Sequence, residues 1–182
     1  MAQLRTDGGL PVAALAGAIA GGVLPEFAKW ISSPKAFRIA GRSTELLFNL
    51  VFFAFNGVVV DRFYYFLSVV LGNQATVGTV ISKVACDQFL FSPTWLPLII
   101  AIFAWRQANF SIAGTAAALK GNFYRRRVIP LLLPNWAFWM PMTTVIYALP
   151  GPLQFLLFIL ALAAWSLIMV FIAEAKTEDA PL

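Results

Sequence analysis

Long apolar runs, separated by short polar loops, cover most of the sequence. Several of these runs reach the ~20 residues that a helix needs to cross the hydrocarbon core of a bilayer. The predicted spans are residues 10–30, 44–71 and 95–119, and residues 128–173 are long enough for two helices with a break near Leu149–Pro152. No segment shows the strict alternation over ~10 residues that is typical of a transmembrane β-strand. The pattern predicts an all-α, polytopic membrane helical bundle with four principal transmembrane helices and one or two shorter helices.

A shorter helix is predicted for residues 77–92, between the second and third of these spans. We expect Pro93 either to stop this helix or to mark the start of the next one, because proline lacks the N–H group that a helix interior needs. With about 15 residues it is short for a full crossing, and we do not count it as one. Its final part, Ile81–Pro93, places three polar side chains inside an otherwise apolar run: Lys83, Asp87 and Gln88.

Lys83 and Asp87 are four residues apart, so a helix places them on one face. An ionisable side chain at membrane depth costs roughly 2.5–3.5 kcal/mol on insertion scales, which is why such residues pair and face other helices or a water-filled path. We therefore predict that the two form an ion pair or share a hydrogen bond, with Gln88 or Asn135 nearby. A structural ion pair at a helix end is the interpretation that these residues alone favour. A polar path for solutes is the alternative.

The composition agrees with a membrane protein. The 182 residues are 60% hydrophobic and only 12% charged, with a mean hydropathy of +0.81. No polar linker is long enough to divide the chain, so residues 1–182 are predicted to form a single membrane-embedded helical domain. The polar ends, residues 1–9 and 174–182, are predicted to be flexible.

Basic residues concentrate in two loops, around Lys35 and Arg126. The positive-inside rule predicts that these loops share one side of the membrane, with the spans 44–71 and 95–119 as the two crossings between them. Membrane topology and anionic lipid headgroups explain the net charge of +5. We therefore expect membrane lipids as partners and no binding of nucleic acid. Histidine is absent and Cys86 is the single cysteine, so the sequence offers no catalytic set and no metal site. We predict no enzyme activity and no cofactor.

Small and aromatic residues indicate where helices pack. Gly17 and Gly21 form a Gly-x-x-x-Gly pattern, which permits close approach of two helix backbones. Trp136, Trp139 and Trp165 are predicted to mark membrane interfaces or packed seams and to bind no cofactor.

Three blocks of the sequence resemble one protein family. They are Lys83-x-x-x-Asp87-Gln88 with Pro93, Asn135-Trp136-x-x-Trp139, and the segment Gly57–Tyr64 with Leu67. In order and spacing they are similar to the K-x-x-x-D-Q-x-x-x-x-P, N-W-x-x-W and G-P-x-x-H-x-W-Y-x-x-L patterns of the Mpv-seventeen and 22-kDa peroxisomal membrane protein family. The resemblance extends from about Leu50 to Ile172.

Several polar positions depart from the family pattern. Val58, Asp61 and Phe63 stand where the family has proline, histidine and tryptophan. After the N-W-x-x-W block, the family's Gln and Asn-Phe are replaced by Thr143, Thr144, Ile146 and Tyr147, and Gln154 and Ser166 stand near or at an arginine and an asparagine.

The resemblance implies an integral protein of an organelle membrane, with the mitochondrial inner membrane favoured and a peroxisomal or plastid membrane possible. It implies metabolite handling through a channel or transporter-like pore for small solutes. The residues that we consider for a polar path or an interhelical network are Lys83, Asp87, Gln88, Asn56, Asp61, Asn135, Arg106, Gln107 and Asn109. The alternative is a non-catalytic accessory subunit that docks through its small-residue and aromatic faces onto other membrane subunits or onto itself.

Overall fold

The computed structural model describes residues 2–32 and 42–178. The described residues are 90% helical and form six helices and no strand. The first of these helices is kinked at Gly9, where φ is 53° and ψ is -137°. The predicted all-α class is thereby confirmed. The basic loop around Lys35 lies outside the described residues.

Three of the six helices contain a turn of π-helix, which divides them into segments. The α-helical segments are α1 Ala2–Gly17, α2 Leu24–Ser32, α3 Arg42–Leu71, α4 Val77–Cys86, α5 Ser92–Gln107, α6 Ile112–Ala118, α7 Ile129–Ala148 and α8 Gly151–Glu178. The π turns are Ala18–Val23, Asp87–Phe91 and Tyr124–Val128. Each π turn ends two residues before a proline, namely Pro25, Pro93 and Pro130. A proline ring clashes with the carbonyl four residues earlier, and the wider π turn moves that carbonyl aside.

Four helices are long and apolar enough to cross a membrane: Gly9–Ile31, Ser43–Leu71, Val77–Gln107 and Leu153–Val170. The predicted number of principal spans is confirmed, and α7 and α8 are separated at Leu149 and Pro150 as the sequence predicts.

The bounds predicted for the third span are wrong. Residues 77–92 are not a separate short helix, because the chain continues through Pro93 and Pro97 to Gln107. The helix ends there, where Asn109 and Phe110 adopt left-handed backbone angles with φ of 50° and 61°. Residues 112–118 then form the short helix α6, whose N-terminus is capped by the Ser111 hydroxyl.

The described residues form two compact units. The terminal unit contains the residues up to Asn73 together with those from Leu149 onward, and the central unit is Gln74–Ala148. In the terminal unit α1, α2, α3 and α8 pack together. Gly17 lies against the carbonyl of Phe53 and the backbone of Gly57, and Gly21 lies against the ring of Phe53. The absence of side chains at these glycines lets α1 and α3 approach closely.

In the central unit, α4 and the π turn Asp87–Phe91 pack against α7. Val128 and Ile146 are fully buried there. The buried residues of this unit also include four polar ones: Lys83, Asp87, Gln88 and Thr143.

Candidate functional site

The polar cluster of the central unit is organised around the carboxylate of Asp87. The hydroxyl of Tyr147 donates to its Oδ2 atom over 2.5 Å, and the Nε2 group of Gln88 donates to its Oδ1 atom over 3.2 Å. Both oxygens of a buried carboxylate therefore have a donor. Because Tyr147 lies on α7, this hydrogen bond also connects α7 to the π turn.

Gln88 is the most enclosed member of the cluster, with 0% of its surface exposed. Its Nε2 group lies 3.4 Å from the hydroxyl oxygen of Thr143, which itself donates to the carbonyl of Trp139 over 2.7 Å. The Oε1 atom of Gln88 is buried and has no hydrogen-bond partner. The cluster thus contains one hydrogen-bond acceptor that receives no donor.

Lys83 lies in the same cluster but does not form the predicted ion pair with Asp87. The carboxylate is occupied by neutral donors, and the amino group of Lys83 lies 5.9 Å from the centre of the Tyr147 ring, within the range of a cation–π contact. The spacing of four residues places both side chains on one helix face, but their contacts with Tyr147 on α7 set the conformations that they adopt. Lys83 is nevertheless only 2% exposed.

Trp136 explains how the helix continues through Pro93. In the π turn the N–H of Ser92 bonds to the carbonyl of Asp87, five residues earlier. The next residue in that register is Pro93, which cannot donate, so the carbonyl of Gln88 has no partner from its own helix. The indole Nε1–H of Trp136 donates to this carbonyl over 2.8 Å.

A second side chain does the same for Pro97. The carbonyl of Pro93 lies four residues before it and receives no helical N–H. The hydroxyl of Tyr124 donates to that carbonyl over 3.3 Å. Prolines are tolerated inside membrane helices where neighbouring groups satisfy the backbone in this way. The prediction that a separate helix stops at Pro93 is wrong, because both donors come from distant parts of the sequence. The alternative, that Pro93 marks the start of the next helical segment, agrees with its position near the start of α5.

The candidates Asn56 and Asp61 lie in the terminal unit, on α3, and both are buried. Asp61 forms an ion pair of 2.6 Å with its neighbour Arg62, whose side chain is about half exposed. Asn49 lies seven residues before Asn56 on the same helix, and its buried Oδ1 atom has no hydrogen-bond partner. All three buried residues belong to the terminal unit.

The other candidates take no part in the Asp87 cluster. Asn135 is half-buried on α7 and makes none of the cluster's hydrogen bonds. Arg106 is half-buried near the end of α5, and Gln107 and Asn109 are exposed where that helix ends. The ring of Trp139 packs edge-on against Phe138, with centroids 5.2 Å apart, and Trp165 is half-buried on α8.

Sequence reasoning missed Thr143 and Tyr147 as members of the cluster and treated them only as departures from a family pattern. Their spacing could have found them, because Trp136, Thr143 and Tyr147 are separated by seven and four residues and so share one face of α7. That face meets Gln88 and Asp87.

Chemically, the cluster brings a basic group, a carboxylate, an amide and two hydroxyls into a nearly dry space. The basic group is held without an ion pair to Asp87, and the amide oxygen of Gln88 has a free lone pair. Such a set can bind water or a small polar solute by offering it both a donor and an acceptor.

Comparison with known proteins gives one relative. Protein SYM1 of Eremothecium gossypii is 33% identical to this chain over 96 residues, which are 51% of this chain and 48% of SYM1. The match thus spans about half the length of that relative. No family model matches the chain, and no solved structure matches it.

This similarity loosely supports the resemblance to the Mpv-seventeen and 22-kDa family, to which SYM1 is related. Together with the four candidate spans, it supports an organellar membrane protein.

Proposed function

We propose that this chain is a non-catalytic integral membrane protein of the Mpv-seventeen and 22-kDa family that conducts small polar solutes. The observation that carries the proposal is Lys83, which is buried in the span Val77–Gln107 without an ion pair to Asp87. An ionisable group at membrane depth costs roughly 2.5–3.5 kcal/mol on insertion scales, and the rare residues of this kind include those that line substrate and ion pathways.

The surroundings of Lys83 suit such a role. Tyr147 and Gln88 hold the Asp87 carboxylate in place, which leaves the amino group of Lys83 available as a donor. The unpartnered Oε1 atom of Gln88 is an acceptor in the same cluster. A solute that carries both a hydroxyl and a carboxylate would find complementary groups there, as selectivity in a narrow pathway requires.

The test is solute flux in liposomes that contain the purified full chain. We expect lactate entry to exceed that of empty liposomes, and Lys83→Met to reduce it about tenfold or more while the melting temperature stays within a few degrees. Lys120→Gln, a change at an exposed lysine outside the spans, is the matched control and should conduct like the parent. Equal flux through the parent, Lys83→Met and protein-free liposomes would refute conduction.

A second candidate function is a structural accessory subunit of a larger membrane complex. The complete enclosure of Gln88 and its contact with the buried Thr143 hydroxyl favour this alternative, because interhelical hydrogen bonds of this kind hold helices together without any transport. Purification in mild detergent distinguishes the two. A stoichiometric companion complex supports the subunit, and a lone chain or small oligomer with flux supports conduction.

We propose the mitochondrial inner membrane as the location, because the family resemblance and the similarity to SYM1 agree on an organelle membrane. A tagged full-length chain should co-localise with an inner-membrane marker and resist extraction by alkaline carbonate. Exclusive co-localisation with a peroxisomal or plastid marker would reassign the chain to that membrane.

A further inference from the structure

The surface of the central unit contains an apolar groove next to three consecutive arginines. The groove encloses about 360 Å³ and lies where α5 and the Asp87–Phe91 turn pack near α7. Its lining residues are Phe89, Pro93, Tyr124, Ile129, Leu132, Leu133 and Trp136.

The arginines belong to the same π turn as one wall of the groove. Arg125, Arg126 and Arg127 are all exposed and follow directly after Tyr124, which lines the groove. In the part of the chain that the structure describes, none of the three guanidinium groups is paired with a carboxylate. Three positive charges thus lie at one end of the apolar groove.

The groove has the dimensions of an acyl chain segment. From Ile129 to Trp136 the helix α7 advances seven residues, which is about 10 Å at the usual rise. Trp136 and Tyr124 form its walls while their polar atoms are engaged with the carbonyls of Gln88 and Pro93, so they present mainly apolar surface.

We propose that this groove is a binding site for an anionic phospholipid. One acyl chain lies in the groove against Leu133 and Trp136, and the headgroup phosphate is bound by Arg125–Arg127. The juxtaposition of an apolar groove with three exposed arginines supplies both an apolar and a cationic group for such a lipid. The site does not depend on whether the protein conducts solutes.

The experiment uses the full chain in nonionic detergent and two lipids with identical dioleoyl chains, phosphatidylglycerol and phosphatidylcholine. Native mass spectrometry counts the lipid that remains bound. We expect phosphatidylglycerol to be retained at least tenfold better, since each arginine near an anionic lipid contributes roughly fivefold in affinity. Replacing all three arginines by glutamine should abolish this preference, and Lys120→Gln should leave it unchanged.

A second variant tests the groove itself. Leu133 lines the groove and is 59% exposed, so Leu133→Trp fills the space without disturbing the core. We expect it to reduce retention of both lipids, while Leu131→Trp, an exposed position on the same helix outside the groove, should not.

Equal retention of the two lipids by the parent would overturn the proposal. So would a preference for phosphatidylglycerol that survives Leu133→Trp but is competed away by millimolar inorganic phosphate, because the arginines would then bind a soluble anion.

Discussion

The indole nitrogen of Trp136 lies 2.8 Å from the carbonyl oxygen of Gln88, a residue 48 positions earlier in the chain. This hydrogen bond joins the two sequence blocks that resemble the family most closely, since Gln88 belongs to the first and Trp136 to the second. The bond is therefore a physical reason why the two blocks occur in the same chain. Pro93 removes a backbone donor from the π turn, and Trp136 replaces it from α7.

Trp136→Phe should destabilise the protein by about 1 kcal/mol, because it strands the Gln88 carbonyl while retaining most of the ring packing. Interhelical hydrogen bonds in membrane proteins average about 0.6 kcal/mol and reach about 1.7 kcal/mol. Chemical unfolding in detergent micelles measures the change. Trp105→Phe is the control, because the Trp105 ring is exposed and packs against Phe110.

The same bond can be tested by restoring the missing donor. Pro93→Ala returns an N–H to the helix, so Trp136→Phe should lose less stability in a Pro93→Ala background than in the parent. Losses of equal size in the two backgrounds, or in Trp136→Phe and Trp105→Phe, would show that the indole N–H does not compensate for the proline.

Local patterns in the sequence predicted the helical class, the break at Leu149–Pro150 and the presence of polar residues inside an apolar run. Apolar periodicity and prolines are local features, so they can be read directly. The failure at Pro93 and the missed role of Tyr147 share one cause. The partners of the Gln88 carbonyl and of Asp87 lie 48 and 60 residues away, and the packing of α7 against α4 selects them.

The Asp87–Tyr147 hydrogen bond should contribute near the upper limit for such interactions, about 1.7 kcal/mol, because a buried carboxylate accepts it over 2.5 Å. A double-mutant cycle with Tyr147→Phe and Asp87→Asn measures the coupling free energy. Tyr65→Phe is the matched control, since Tyr65 is an exposed residue of the terminal unit and should change stability by less than about 0.5 kcal/mol. A coupling free energy near zero would mean that the two groups act independently.

Alanine substitutions at two glycines, one at the contact of α1 with α3 and one on an open face of α4, should change the stability in opposite directions. A Cβ atom at Gly17 would collide with the Phe53 carbonyl and the Gly57 backbone, so Gly17→Ala should cost about 1–3 kcal/mol. A Cβ atom at Gly78, in α4, would meet nothing within 4 Å, so Gly78→Ala should stabilise by up to about 1 kcal/mol through helix propensity. Thermal unfolding of both variants in detergent tests this. The same sign of change at both positions would show that backbone proximity at Gly17 does not matter.

The continuous helix Val77–Gln107 changes how the chain is expected to cross the membrane, but it preserves the predicted sidedness. Two candidate spans, Ser43–Leu71 and Val77–Gln107, separate the basic loop around Lys35 from the one around Arg126. An even number of crossings returns the chain to the side on which it started, which is also the side that the positive-inside rule assigns to both loops.

Cysteines introduced one at a time at Lys35 and Arg126, in a Cys86→Ser background, should therefore react with a membrane-impermeant maleimide from the same side of sealed vesicles. Because Cys86 is the single native cysteine, any remaining labelling reports on the introduced thiol. Labelling of the two positions from opposite sides would mean that one of the two helices does not cross, and the Asp87 cluster on Val77–Gln107 would then lose its place at membrane depth.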